Sequence, residues 1–114
     1  MRIERFEDIL AWQRAKGLTI LIYSIFKNNN DFGFRNQIQR ASVSIMNNIA
    51  EGFERKSNKE LKQFLFIAKG SAGELRSMLY IAIELKYLNE EEFKELHESC
   101  LIISKMLSNF IKTL

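Results

Sequence analysis

Apolar residues recur along this chain in alternating steps of three and four, the spacing that gathers them on one face of an α-helix. From about Glu7 to Phe26 the series is Ala11, Ala15, Leu18, Ile22 and Ile25, flanked by Leu10, Trp12, Leu21 and Phe26. From Phe32 to Phe53 it is Phe34, Ile38, Ala41, Ile45, Ile49 and Gly52. A third series, over residues 58 to 86, is the most regular: Leu61, Leu65, Ala68, Ala72, Leu75, Leu79 and Ala82, widened by Phe64, Ile67 and Met78. The fourth, over residues 90 to 113, carries Phe93, Leu96, Cys100, Ile103, Leu107 and Phe110, with Leu114 just beyond. Long amphipathic helices on short connections bury their faces most simply against their sequence neighbours. The pattern therefore predicts one all-α domain, an up-down antiparallel four-helix bundle.

The breaks carry helix-end chemistry. Lys27-Asn28-Asn29-Asn30 ends the first segment with a cation near the negative helix terminus and then poor helix formers, leaving Asp31 to cap the second. Ser57-Asn58-Lys59-Glu60 has the spacing of a capping box, and Asn89 before Glu90-Glu91-Glu92 places a cap and a negative first turn at the start of the fourth helix. The second helix has another apolar stripe, Val43, Met46, Ala50 and Phe53, well away from the first around its axis. Two stripes imply two packing partners, and the second is the candidate oligomer interface.

Composition agrees with this picture. With 114 residues, 46% hydrophobic and 27% charged, the chain is large enough to bury a core, and without proline and with five glycines it has little to interrupt helices. One cysteine cannot form an internal disulfide, and MRIERFEDIL lacks the basic start and apolar run of a secretory signal. The apolar stretch from Gly17 to Phe26 is about half the roughly 20 residues of a membrane span. A cytoplasmic protein with no membrane association is expected.

The net charge of +3 is unevenly spread: residues 1 to 86 hold 14 Lys and Arg against nine Asp and Glu, residues 87 to 114 three against five. On the third helix Lys59, Lys62, Phe66, Lys69, Gly73, Arg76 and Tyr80 fall in one arc of about 100° beside the apolar face. Cations in a row attract phosphates and interleaved rings stack on unpaired bases, so this arc, extended by Arg55 and Lys56, is the candidate nucleic-acid surface. Its plain alternative is a solvated flank with snorkelling lysines.

On the second helix Gln37, Arg40, Ser44, Asn48, Glu51 and Arg55 form a polar ladder beside the core stripe. Partly buried polar groups require partners: Glu51 and Arg55 are spaced for an ion pair, and Ser71 and Glu74 on the third helix are placed to complete a network. The ladder is either a structural device fixing helix register or a ligand site.

Catalytic chemistry finds little support. His97 and Cys100 share a helix face, but a closed zinc site uses four N or S ligands and each residue type occurs once, so both are expected in the core and no metal or other cofactor is expected. The two glutamate-x-x-histidine motifs of a di-iron bundle are absent, since Lys94 stands three residues before His97. Gly70 and Gly73 lie inside a helix rather than in a phosphate loop, where close helix approach is the plain reason for them. No activated nucleophile stands out, so the chain is not expected to be an enzyme.

Gln37-x-x-Arg40-Ala41-Ser42-Val43-Ser44-Ile45, then Asn48-Ile49-Ala50-Glu51-Gly52 and Arg55, resemble the signature of the four-helix bundle proteins encoded in 23S ribosomal RNA intervening sequences. Phe64-Leu65-x-x-Ala68-x-Gly70-Ser71-x-x-Glu74-Leu75 resembles the second block of that family, and Trp12 with Ala15 its first helix, so the likeness spans nearly the whole chain. Two departures stand out. Lys86 occupies a position commonly glycine before Tyr87-Leu88, and Met46-Asn47 replaces a smaller or proline-containing pair. The resemblance implies a bundle often assembled as a homopentameric ring, without established enzymatic activity and with proposed binding of RNA or DNA. By architecture it also resembles the accessory protein of diversity-generating retroelements, which works with a reverse transcriptase, and so keeps open a second reading as an oligomeric protein-interaction scaffold.

Overall fold

The computed structural model describes residues 3–114. A short 3-10 turn, Phe6–Asp8, precedes four helices: α1 (Leu10–Phe26), α2 (Phe32–Phe53), α3 (Asn58–Glu84) and α4 (Glu90–Lys112). Each helix packs against the next, and α4 returns to pack against α1. Among the described residues α1 makes no contact with α3, nor α2 with α4, so these pairs lie across the diagonals of a four-helix bundle. At about 1.5 Å per residue, the 27 residues of α3 form a rod that accounts for the 42 Å long axis.

The predicted stripes form the core. Ala15, Ile22, Phe26, Ile38, Ile45, Ile49, Leu65, Leu75, Leu79, Leu96, Ile103 and Leu107 are fully enclosed. Each large aliphatic or aromatic member contributes about 1.5–3 kcal/mol relative to an exposed position. Ile67 is a correction: it was expected to widen the core, but it is 52% exposed. On α3 it falls beyond Ser71 and Met78, on the outer edge of the buried stripe.

The start of the first helix also differs from expectation. Rather than one helix from Glu7, the chain makes the 3-10 turn and then an extended residue, Ile9, whose side chain is buried. Phe6 packs edge-on against Trp12 with centroids 5.2 Å apart, which folds the turn back onto α1.

The predicted caps at Asp31, Ser57 and Asn89 accept hydrogen bonds from the amides of Phe34, Glu60 and Glu92. At Asn89 the box is reciprocal, the Glu92 carboxylate accepting from the Asn89 amide at 3.0 Å. At Ser57 the Glu60 carboxylate instead accepts from the Ser57 hydroxyl at 3.1 Å.

α3 stops two residues early, at Glu84, because Lys86 turns left-handed with φ 62°. The Tyr87 amide donates to the Ala82 carbonyl and the Lys86 amide to the Ile83 carbonyl, the paired bonds of a Schellman ending. Tyr87 then reaches the other turn at this end of the bundle. Its hydroxyl donates to the Asp31 carboxylate at 2.7 Å, and its ring meets Phe34 edge-on. That hydrogen bond, with desolvation and the Asp31 charge, holds the phenol above its ordinary range.

Candidate nucleic-acid interface

α3 opens with its positive helix end beside Lys56, Lys59 and Lys62, and its long regular stripe commits one face to the core. Helical spacing then fixes which residues occupy the adjoining flank. Arg55, Lys56 and Lys59 are exposed, whereas Lys62, Lys69, Gly73 and Arg76 are half-buried along the edge of the core stripe. Half-burial of Lys62, Lys69 and Arg76 is compatible with stems laid along the bundle and charged heads directed to water. From Arg55 to Tyr80 there are six cations and two carboxylates, Glu60 and Glu74. Among the described residues ion pairs form only at Arg5–Asp8 and Arg55–Glu51, so Lys56, Lys59, Lys62, Lys69 and Arg76 have no carboxylate partner.

The two rings of the arc are held differently. Phe66 is 55% exposed and meets no other ring among the described residues. Tyr80 is 53% exposed but fixed in place: its hydroxyl is 2.9 Å from His97 Nε2, and its ring stands edge-on to Phe93 and His97. Phe93 and His97 are themselves stacked. His97 therefore lies on the flank of α4 facing α3 and is only half-buried, against the expectation of a core position. Spacing held the signal, since Phe93 and His97 are one turn apart beside the core stripe.

Cys100 is in the core as expected. Burial pushes its thiol up to about 12, against the opposing pull of Arg76, so it is an un-ionised packing group near neutral pH. Among the described residues no three His, Cys, Asp or Glu side chains come together as a metal site. An apolar hollow of about 440 Å³ lies where α4 ends beside the start of α1, lined by Ile9, Leu10, Met106 and Phe110 with Asp8 and Asn109 as polar neighbours.

The polar ladder divides in two. Ser44 and Ser71 join α2 to α3 through a hydroxyl pair at 2.8 Å, and Asn48 donates to the Ser44 carbonyl and hydroxyl at 2.8 and 3.0 Å. Every polar atom of this group that is buried has a partner. Gln37, Arg40, Glu51 and Glu74, expected in the network, are exposed; Arg40, Glu51 and Glu74 sit further round their helices than Ser44, Asn48 and Ser71, whereas Gln37 shares the side of Ser44 and Asn48 but lies two turns before Ser44. Glu51 and Arg55 form an exposed pair at 3.0 Å, and the Arg55 guanidinium also lies 4.9 Å over the Phe64 ring. A second polar link was not anticipated: the Thr19 hydroxyl donates towards the Ala15 and Ser42 carbonyls, tying α1 to α2. Thr19 follows Ala15 by one turn, which was the available signal.

The second stripe of α2 is partly used within the subunit. Met46 and Phe53 pack against the chain's own core, and Val43 and Ala50 are half-buried.

Gly70 and Gly73 are a further correction. Close helix approach was the expected reason for them, yet a Cβ at either would meet nothing within 4 Å. The close approach is at Gly52 instead, where a Cβ would come within 2.6 Å of Phe64 Cβ.

Comparison with known proteins places this bundle. The sequence model of the 23S rRNA-intervening sequence protein family matches residues 7–109. The chain is similar to the crystal structure of a protein of unknown function from the S23 ribosomal protein family of Bacteroides thetaiotaomicron, with a TM-score of 0.84 and 24% identity over 90% of this chain and 99% of that one. No curated protein matches.

Proposed function

Since the chain belongs to the 23S rRNA-intervening sequence protein family, we propose that it is a non-catalytic nucleic-acid-binding bundle that holds RNA along the exposed flank of α3. One observation carries this reading: Lys56, Lys59, Lys62, Lys69 and Arg76 succeed one another along this flank without carboxylate partners. Cations neutralised internally have little left for phosphates, whereas a row of unneutralised ones releases counterions when a polyanion binds. The family name points to an RNA context. The buried, protonated Cys100 and the hydrogen-bonded His97 favour a binding role over nucleophilic catalysis.

Titration of fluorescent RNA at low salt tests the surface. Lys62→Glu with Lys69→Glu is expected to weaken binding at least tenfold while the helical melting transition persists; unchanged affinity would exclude this flank.

A second reading, a homo-oligomeric scaffold that docks other proteins such as a reverse transcriptase, draws support from exposed apolar residues. Ile67, Ile81 and Leu85 are each about half exposed on α3, and Leu10, Ile20 and Tyr23 are exposed on α1, the diagonally opposite helix. Unlike patches on opposite sides of one subunit meet head to tail, a contact that closes into a ring when the rotation between subunits divides the full turn. Light scattering is expected to give an oligomer for the wild type and a smaller species for Ile81→Glu. A monomeric wild type would remove this reading and leave the nucleic-acid surface intact.

A further inference from the structure

Resting on the reading of α3 as a nucleic-acid surface, we infer that its ligand is an unpaired strand whose bases stack on Phe66 between Lys62 and Lys69. Phe66 is 55% exposed, packs on no other ring among the described residues, and is joined on its own helix face by Lys62 one turn before and Lys69 one turn after. A large exposed ring between two cations lacking carboxylate partners has the composition of a stacking platform on a phosphate-tracking surface. The cation row Lys62, Lys69, Arg76 advances by seven residues each time, about 10.5 Å per step along a nearly straight line.

The glycines bear on the same point. Helical side chains lean towards the N-terminus, so a residue at position 70 would lie back over the turn that holds Phe66, and one at 73 over Lys69. Both positions are glycine, and a Cβ at either would stand in open space. Packing within the subunit therefore does not explain them, although each costs the helix roughly 1 kcal/mol relative to alanine. Their effect is to clear the approach to the ring and its neighbouring lysine.

Tyr80, fixed by His97 and Phe93, lies 14 residues beyond Phe66, about 21 Å along the same flank, and offers a second, pre-positioned ring. A duplex presents phosphates and base edges to such a surface and keeps its base faces stacked on each other, so the rings would have nothing to stack against. An unpaired strand uses both the rings and the lysines.

The test compares the full-length protein's affinity for an oligo-uridine strand of about 12 nucleotides, within the site sizes such surfaces cover, with that for an RNA duplex of equal length at low salt. The wild type is expected to prefer the single strand. Phe66→Leu is expected to weaken it roughly five- to 150-fold, the range for one lost stacked base, while duplex binding stays unchanged. Gly70→Ala, which only adds a methyl group, is expected to raise the melting temperature and yet weaken single-strand binding. Equal affinity for strand and duplex, or indifference to both Phe66→Leu and Gly70→Ala in a protein whose binding still fails with Lys62→Glu and Lys69→Glu, would overturn the stacking inference and leave the cationic surface standing. No binding to either RNA would remove the surface itself, and this inference with it.

Discussion

Lys86 and Gly52 occupy positions where backbone geometry, more than side-chain chemistry, sets the energetics. Lys86 holds a left-handed conformation that costs an ordinary L-residue on the order of 1 kcal/mol, and it does so to complete the ending of α3. Lys86→Gly is therefore expected to stabilise the fold by about 1 kcal/mol, a rise of about 4 °C in melting temperature by calorimetry. Gly52→Ala should act in the opposite sense, losing about 1–3 kcal/mol, because the new methyl meets the Phe64 Cβ rather than a flexible chain end. Cys100 makes stability depend on alkaline pH. Its folded value is raised from 9.0 to about 12, so the folded state binds the thiol proton more tightly than the unfolded state. That contribution is fully present below pH 9 and is lost as pH rises towards 12; the raised Tyr87 phenol adds a loss of the same sign at high pH. In denaturant titrations from pH 8 to 11, Cys100→Ala is expected to show a shallower decline than the wild type, and parallel curves would show that the thiol has no such role.

At the scale of the helices, legibility followed the strength of the local signal. α2 appears over the predicted residues because Asp31 caps one end and an uninterrupted stripe runs to Phe53, and α4 begins at Glu90 because Asn89 and Glu92 bond reciprocally. The α1 boundary was less legible because periodicity cannot distinguish a 3-10 turn followed by buried, extended Ile9 from one more turn of α-helix. The end of α3 was hidden by Lys86, since a lysine does not advertise a left-handed residue as glycine does. The polar ladder shows the same limit within one element. A helical wheel placed Ser44 and Asn48 near Ser71, but it could not tell how far round α2 the α3 contact extends. Arg40 and Glu51 fall outside it, while Gln37 shares the side of Ser44 and Asn48 but is exposed two turns earlier. The cation arc of α3 was readable as an arc; that five of its cations lack carboxylate partners and that Gly70 and Gly73 face open space required three dimensions.

For the whole molecule, salt dependence separates the proposed binding by one subunit from its multiplication in the proposed assembly. Each phosphate contact to a single strand contributes about −0.7 to the slope of log affinity against log salt concentration. Lys62→Gln with Lys69→Gln removes two charges without adding repulsion, so on a short strand the slope should become shallower by about 1.4. If the subunits assemble as the proposed ring, a strand long enough to reach two of them engages two α3 flanks, because symmetry repeats the surface. Its slope should then approach twice that of the short strand, and Ile81→Glu, by breaking the exposed apolar contact, should return the long-strand slope to the short-strand value while leaving short-strand affinity unchanged. Fluorescence titrations over a salt series with both lengths decide the matter. Equal slopes in an oligomeric wild type would mean that its α3 flanks are not arranged to share a strand, and would assign the assembly to protein docking rather than RNA capture.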